Sequence, residues 1–216
     1  MLPPSIYETM NRCSPIIPVH TQVPVVPFYS QFHDIQQPAW QKVGCGIASL
    51  AMIIEYYNPD TVSVNKLLTQ AIASGAYNNN AGWIHKDLIS LSNKYGLKGN
   101  SYDMSSLNKD DAFTQFKKSL KDGPVMASIH YKFDPRSSIP HLVVIDGIDD
   151  AGNIHYNDPA LKSGDKQIST TNFLKGWKRK FIVLRPIENK KEIALLIALP
   201  PINNETSTES SPNFLL

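Results

Sequence analysis

Cysteine is scarce in this chain of 216 residues, which holds only Cys13 and Cys45. One possible pair is no disulfide framework for a domain of this size. Neither Cys-x-x-Cys nor His-x-x-x-His occurs, so no metal and no other cofactor is expected. Long apolar runs are also missing. The longest, around residues 48–54 and 193–199, are far too short to cross a bilayer. No basic stretch followed by an apolar core opens the sequence, so no signal peptide is expected and a cytoplasmic location is the default. Charge of one sign is not in excess either. With 21 basic and 19 acidic side chains the net charge is +2, which offers little to nucleic acid or to an anionic membrane surface.

What is present fits a soluble globular domain with one core: 42% of the residues are hydrophobic and 19% are charged. Sixteen prolines are many, and nearly half fall in the first forty residues, where they break any helix. The expected organisation is therefore an irregular arm over 1–22, a domain over 23–187 and an extension over 188–216. The extension contains INNETSTESSPN, which reads as disordered, and residues 193–199, which could add an edge strand.

Within the domain, residues 23–29 (VPVVPFY) form a short extended segment that leads into a loop with four glutamines, Gln31, Gln36, Gln37 and Gln41. Residues 45–57 are apolar on nearly every side, as in a helix buried at the centre of a domain. Ser63 can cap a helix through residue 73. Another helix is expected over 83–95, with Gly96 ending it in the left-handed conformation. A further one starts at Asp110 or Asp111 and stops near Gly123. Beyond Gly123 the period changes, and 125–130, 142–148, 154–157 and 181–184 read as strands, interrupted by a short helix at 171–177. Helices first and antiparallel strands second make an α+β domain of two packed halves.

Cys45 opens the buried helix, where the helix dipole and unpaired N–H groups favour a thiolate. Gly44 permits an unusual backbone angle, and Gly46 removes bulk beside the sulfur. The local sequence fits a small apolar core residue equally well, so the partners must decide. Among the six histidines, His141 is distinctive: it follows Pro140 and opens the strand LVVID, where its ring can stand exposed at the rim of the sheet. It could act as the base for a thiol nucleophile. Asp158 is the candidate acceptor that fixes its tautomer. If Ile148 faces Asn153 across a four-residue loop, Val143 faces Asp158. His141 is then one diagonal step away, about 7–8 Å between backbones. A slip of one residue would put the two on opposite faces. Asp158 also suits a plain turn before Pro159. For an oxyanion, the backbone N–H of Cys45 is one donor and a loop glutamine could be the second. All four qualify by position; Gln31, which follows the presumed strand PFYS, is favoured.

The two blocks VPFYSQ…W…GCGIASLAMIIEYY and PHLVVIDGIDDAGNIHYNDP resemble the bacteriocin-processing peptidases of bacteria and their stand-alone relatives, papain-fold cysteine peptidases of peptidase family thirty-nine. The resemblance spans about residues 23–186. It implies a papain-like fold, with the N-terminal helical half and its central helix packed on a C-terminal antiparallel sheet. It also implies Cys45 as nucleophile, His141 as base and Asp158 as the orienting acid. In the transporter-linked members the oxyanion glutamine lies six residues before the cysteine, a position held here by Ala39. Gln31 is the counterpart in the stand-alone relatives. Since the sequence shows no transporter segment, cleavage of double-glycine leader peptides is not implied.

These residues point to a thiol hydrolase acting on peptide or isopeptide bonds, with a peptide or protein as substrate. The same residues would serve an acyltransferase, a transglutaminase or a glutamine deamidase, because the first half-reaction is shared. A non-catalytic peptide-binding module is the remaining reading, and it would follow if Cys13 and Cys45 were joined in a disulfide.

Overall fold

A computed structural model describes residues 25–79 and 81–188. The arm expected at 1–22, with Cys13, and the strand expected at 193–199 lie outside them, as does nearly all of the extension. In chain order the elements are α1 (Pro38–Gln41), α2 (Cys45–Tyr57), α3 (Val64–Ala73), β1 (Tyr77–Asn78), β2 (Gly82–Trp83), α4 (His85–Asn93), β3 (Leu97–Asp103), α5 (Lys109–Lys121), β4 (Val125–His130), β5 (Pro140–Ile148), β6 (Asn153–Asn157), β7 (Lys166–Ser169), α6 (Thr170–Gly176) and β8 (Trp177–Pro186). Among the described residues no helix is long and apolar enough to cross a membrane.

Local chemistry accounts for the helix ends. The Ser63 hydroxyl accepts from the Lys66 N–H at the start of α3, and the Asn108 side chain accepts from the Asp111 N–H at the start of α5. The cap of α5 is thus Asn108, with Asp110 and Asp111 in the first turn. α4 starts later than expected, because Gly82 and Trp83 pair with Tyr77 and Asn78 in a small hairpin, and it ends at Asn93. Gly96, at φ +71°, lies just past α4 in the left-handed region that glycine adopts without strain. Residues 25–30 carry no regular structure, so the expected strand PFYS is not formed. Pro27 has no N–H to give to a ladder.

The six strands other than β1 and β2 form an antiparallel sheet in the order β3-β8-β4-β5-β6-β7. Its central strands alternate cleanly. Met126, Leu142, Val144, Ile182 and Leu184 belong to the core made with α2, α3 and α4, while Val125, Ala127, Ile129, Val143, Ile145 and Phe181 join Phe116, Phe173 and Trp177 from the side of α5 and α6. Phe116 meets Trp177 and Phe181 with ring centroids 4.9 and 5.2 Å apart. The expected packing of an N-terminal helical half on the sheet is present, and α5 and α6 cover the opposite face.

α2 holds the centre, and every residue from Cys45 to Ile54 is buried. The Ser49 hydroxyl donates to the carbonyl of Leu142, pinning the helix to β5 at 3.2 Å. The glycines at its start serve packing. Gly44 has an ordinary φ of −74°, contrary to expectation, but a Cβ there would lie 2.2 Å from the Ile35 side chain. A Cβ on Gly46 would lie 2.6 Å from the Trp83 ring. Gly46→Ala is therefore expected to destabilise the fold by about 1–3 kcal/mol through overpacking, lowering Tm by several degrees in thermal denaturation. An unchanged Tm would show that Trp83 can move aside freely.

Candidate active site

The first residue of α2 and the first residues of β5 meet at a cleft of about 770 Å³, lined by Cys45, His141 and Gln31 among others. Cys45 carries a free thiol. It is mostly covered, and Sγ lies 4.0 Å from the carbonyl oxygen of Val43, to which it can donate. Trp83, Tyr77 and Val43 line the same cleft, and the Trp83 indole N–H donates to the Val43 carbonyl. That bond fixes the residues just before the thiol.

His141 pairs with Ile129 of β4 at the start of β5. Its ring is buried, with 5% of the residue exposed, which corrects the expectation of an exposed ring. The edge of the Tyr131 ring packs against it, with centroids 5.3 Å apart. Nε2 lies 2.6 Å from Oδ1 of Asp158, itself 4% exposed, which leaves Nδ1 for the thiol. Burial alone would push the imidazole toward its neutral form. The hydrogen bonds to Asp158 and Cys45, with the charges of both, outweigh burial and raise the His141 pKa to about 10.

The hairpin brings these residues together by a route different from the one read from sequence. Ile148 pairs with Ile154 and Gly147 with His155, one residue out of the expected register. The register then shifts, leaving Asp146 as the extra residue, and Ile145↔Tyr156 and Val144↔Asn157 restore the expected pairing. Without this bulge Asp158 would fall on the wrong face of the strand pair for His141.

Asp146 is a buried carboxylate that the sequence reading passed over. Its Oδ2 accepts from the Asn157 side-chain N–H at 2.8 Å, and Oδ1 of the same Asn157 side chain accepts from the Asp165 N–H at 2.9 Å. Asn157 is thereby locked directly before Asp158. Burial pushes the Asp146 carboxyl up to about 6, against the hydrogen bond from Asn157 and the charge of His155. An acid inside the apolar run LVVID was the available signal. Asp158 also keeps the turn role that its sequence suggested, since the same Oδ1 accepts from the Ala160 N–H at 2.8 Å.

Of the four glutamines, Gln31 alone lines the cleft. It is buried, while Gln36 and Gln37 are exposed and the Gln41 amide donates to the Ile35 carbonyl. No strand positions Gln31. Its backbone N–H donates to the carbonyl of Pro159 at 2.8 Å, tying it to the turn that carries Asp158, and its side-chain amide donates to the Gln41 carbonyl at 2.7 Å. Its Oε1 is buried without a partner.

A central helix that opens on a cysteine, packed on an antiparallel sheet that presents a His–Asp pair, makes this the papain-like cysteine peptidase fold. The model of the Peptidase_C39 like family matches residues 24–181, and the chain belongs to that family. No curated protein matches it. Among solved structures, it is similar to a protein from Bacillus anthracis described as a C39-like peptidase, at 22% identity over 79% of this chain and 99% of that one, with a TM-score of 0.56. It is also similar to a double glycine motif protease from an AMS/PCAT transporter, solved in complex with the leader peptide, at 21% identity over 77% of this chain and 96% of that one, with a TM-score of 0.53. At these identities the likeness concerns the fold.

Proposed function

We propose that the protein is a cysteine peptidase that hydrolyses peptide or isopeptide bonds through Cys45, His141 and Asp158. The observation that carries this reading is the buried 2.6 Å bond between His141 and Asp158, made beside a free thiol at the start of α2. The His141 imidazolium stabilises a Cys45 thiolate, which attacks the scissile carbonyl. The tetrahedral oxyanion is met by the Cys45 backbone N–H, one of the first-turn amides with no partner inside the helix, and by the remaining N–H of the Gln31 amide. His141 hands its proton to the departing amine, and a thioester acyl-enzyme remains. Neutral His141 then activates water to release the acid and regenerate the thiolate. Family membership supports the reaction class, and the leader peptide bound by the transporter-derived neighbour supports a peptide as the substrate.

The test is to incubate the protein with a proteome-derived peptide mixture and search by mass spectrometry for new termini, with and without prior treatment with iodoacetamide. New termini that vanish once Cys45 is alkylated are expected. Full cleavage by protein whose Cys45 is quantitatively alkylated would sink the reading.

Gln31 has its own expected outcome. Gln31→Ala should lower kcat by about 10²-fold with a much smaller change in KM, because its donor acts on the oxyanion rather than on the ground-state carbonyl. Steady-state kinetics on any peptide found above would check it, and an unchanged kcat would assign the second donor elsewhere.

A further inference from the structure

The far end of the same cleft is built differently from the part around Cys45. There Lys178 and Lys180 line the cleft together with Asp103, the single carboxylate of its lining, and His85. A chain with nearly balanced charges thus concentrates cations at one place. Asp103 does not offset all of them, since it is held at 2.8 Å by Lys180. Among the described residues no carboxylate pairs with Lys178. Burial and the neighbouring charge of Lys180 both press its ammonium toward the neutral form. His85 adds hydrogen bonding but no lasting charge. It bridges the hydroxyls of Ser101 and Ser128, and burial with the charge of Lys180 lowers its pKa.

The backbone shows how Lys178 reaches the cleft. Ser128 of β4 pairs with Lys180 of β8, but the next residue, Ile129, pairs with Trp177, so β8 carries Lys178 and Arg179 as extra residues. Arg179 sits at φ +58°, a left-handed conformation that costs a residue with a Cβ. It is held there by its guanidinium on the Leu107 carbonyl and by the Met104 N–H on its own carbonyl. Bulges of this kind re-aim side chains beside active sites. Here Lys178 lines the cleft and Arg179 does not.

We propose that Lys178 and Lys180, with the serine-lined floor beside them, form a subsite that binds a carboxylate of the peptide substrate. This rests on the peptidase reading and adds the substrate class to it. Asp103, Lys180, Ser128 and Leu142 form one row across β3, β8, β4 and β5, and His141 is the next residue along β5. Two strand spacings, about 10 Å, separate the His141 backbone from that of Lys180, and an extended peptide covers that in about three residues. The carboxylate therefore belongs to an Asp or Glu side chain two to four residues from the scissile bond, or to a free C-terminus at the same distance.

The test compares wild type with a Lys178→Met/Lys180→Met pair and a Lys178→Arg/Lys180→Arg pair, using the proteome-derived peptide mixture. Synthetic peptides that differ only as Glu against Gln, or as free acid against C-terminal amide, separate the two sources of carboxylate. Wild type is expected to prefer the carboxylate form by about ten-fold in kcat/KM, the Met pair to lose that ratio and the Arg pair to keep it. The ratio is taken within each enzyme, so a loss of folded protein does not move it. Cleavage by wild type without any such preference, or a preference that survives in the Met pair, overturns the subsite and leaves the peptidase reading standing. Absence of any cleavage by folded wild type overturns both.

Discussion

Cys45→Ala is expected to remove turnover, with a fall in kcat of at least about 10⁵-fold, and to leave the fold in place. The size of the effect follows from the chemistry: without sulfur there is no acyl-enzyme, and only the oxyanion donors and binding remain. The mildness toward the fold follows from the packing, since Cys45 sits at the open end of α2 beside the cleft and the helix is held further along by Ser49 and a wholly buried apolar surface. Steady-state assays and thermal melts on the same preparation check both halves. His141→Ala should act on the same thiol by a different route. With the His141 pKa near 10 the imidazolium persists throughout the neutral range, so wild-type Cys45 is expected to alkylate readily at pH 6. In His141→Ala the rate at pH 6 should drop by about ten-fold. A Cys45→Ala enzyme that keeps turning over, or an alkylation profile indifferent to His141, would remove Cys45 from the reaction.

What the sequence discloses about this site is uneven, and the unevenness has physical causes. The helix from Cys45 to Tyr57 is legible because a segment apolar on all sides has few other ways to fold. The strands at 125–130 and 140–148 are legible because they are buried on both faces and read as continuous apolar runs. β3 and β7 are not. They lie at the two edges of the sheet, where LKGNSYD and KQIS are polar and carry little alternation. Gly99 within β3 argues against a strand by propensity, yet a Cβ there would lie 1.8 Å from the Val183 carbonyl, so close contact with β8 is what requires glycine. The hairpin shows the limit most clearly. A loop length guessed from sequence was wrong by one residue, and a bulge at Asp146 took up the difference. Bulges depend on pairing between strands and leave no periodic mark in either, which also hides the two extra residues of β8 at Lys178.

Asp158→Asn separates the charge of the third residue from its place in the turn. Asparagine presents an oxygen where Oδ1 now accepts from the Ala160 N–H, so the turn before Pro159 can survive. What it cannot supply is the negative charge beside a buried imidazole. A loss of roughly 10²-fold in kcat is expected, because the amide oxygen can still accept from Nε2–H but no longer stabilises the imidazolium that the reaction uses. Stability should change with a defined dependence on pH. The folded His141 pKa is raised from 6.5 to about 10, so its stabilising contribution is complete below about pH 6.5 and is lost as the pH rises through 10. Asp158→Asn removes the part of that contribution that comes from the Asp158 carboxylate and leaves the part that comes from Cys45. The stability gap between wild type and variant, read from urea denaturation, should therefore be largest near pH 6, at about 3 kcal/mol, and should narrow steadily toward pH 10. Asp158→Ala loses the turn acceptor as well, which adds a cost that does not vary with pH. A gap that is flat in both variants, or that widens with rising pH, would mean that His141 is neutral in the folded protein and that the thiolate–imidazolium pair is not its resting state.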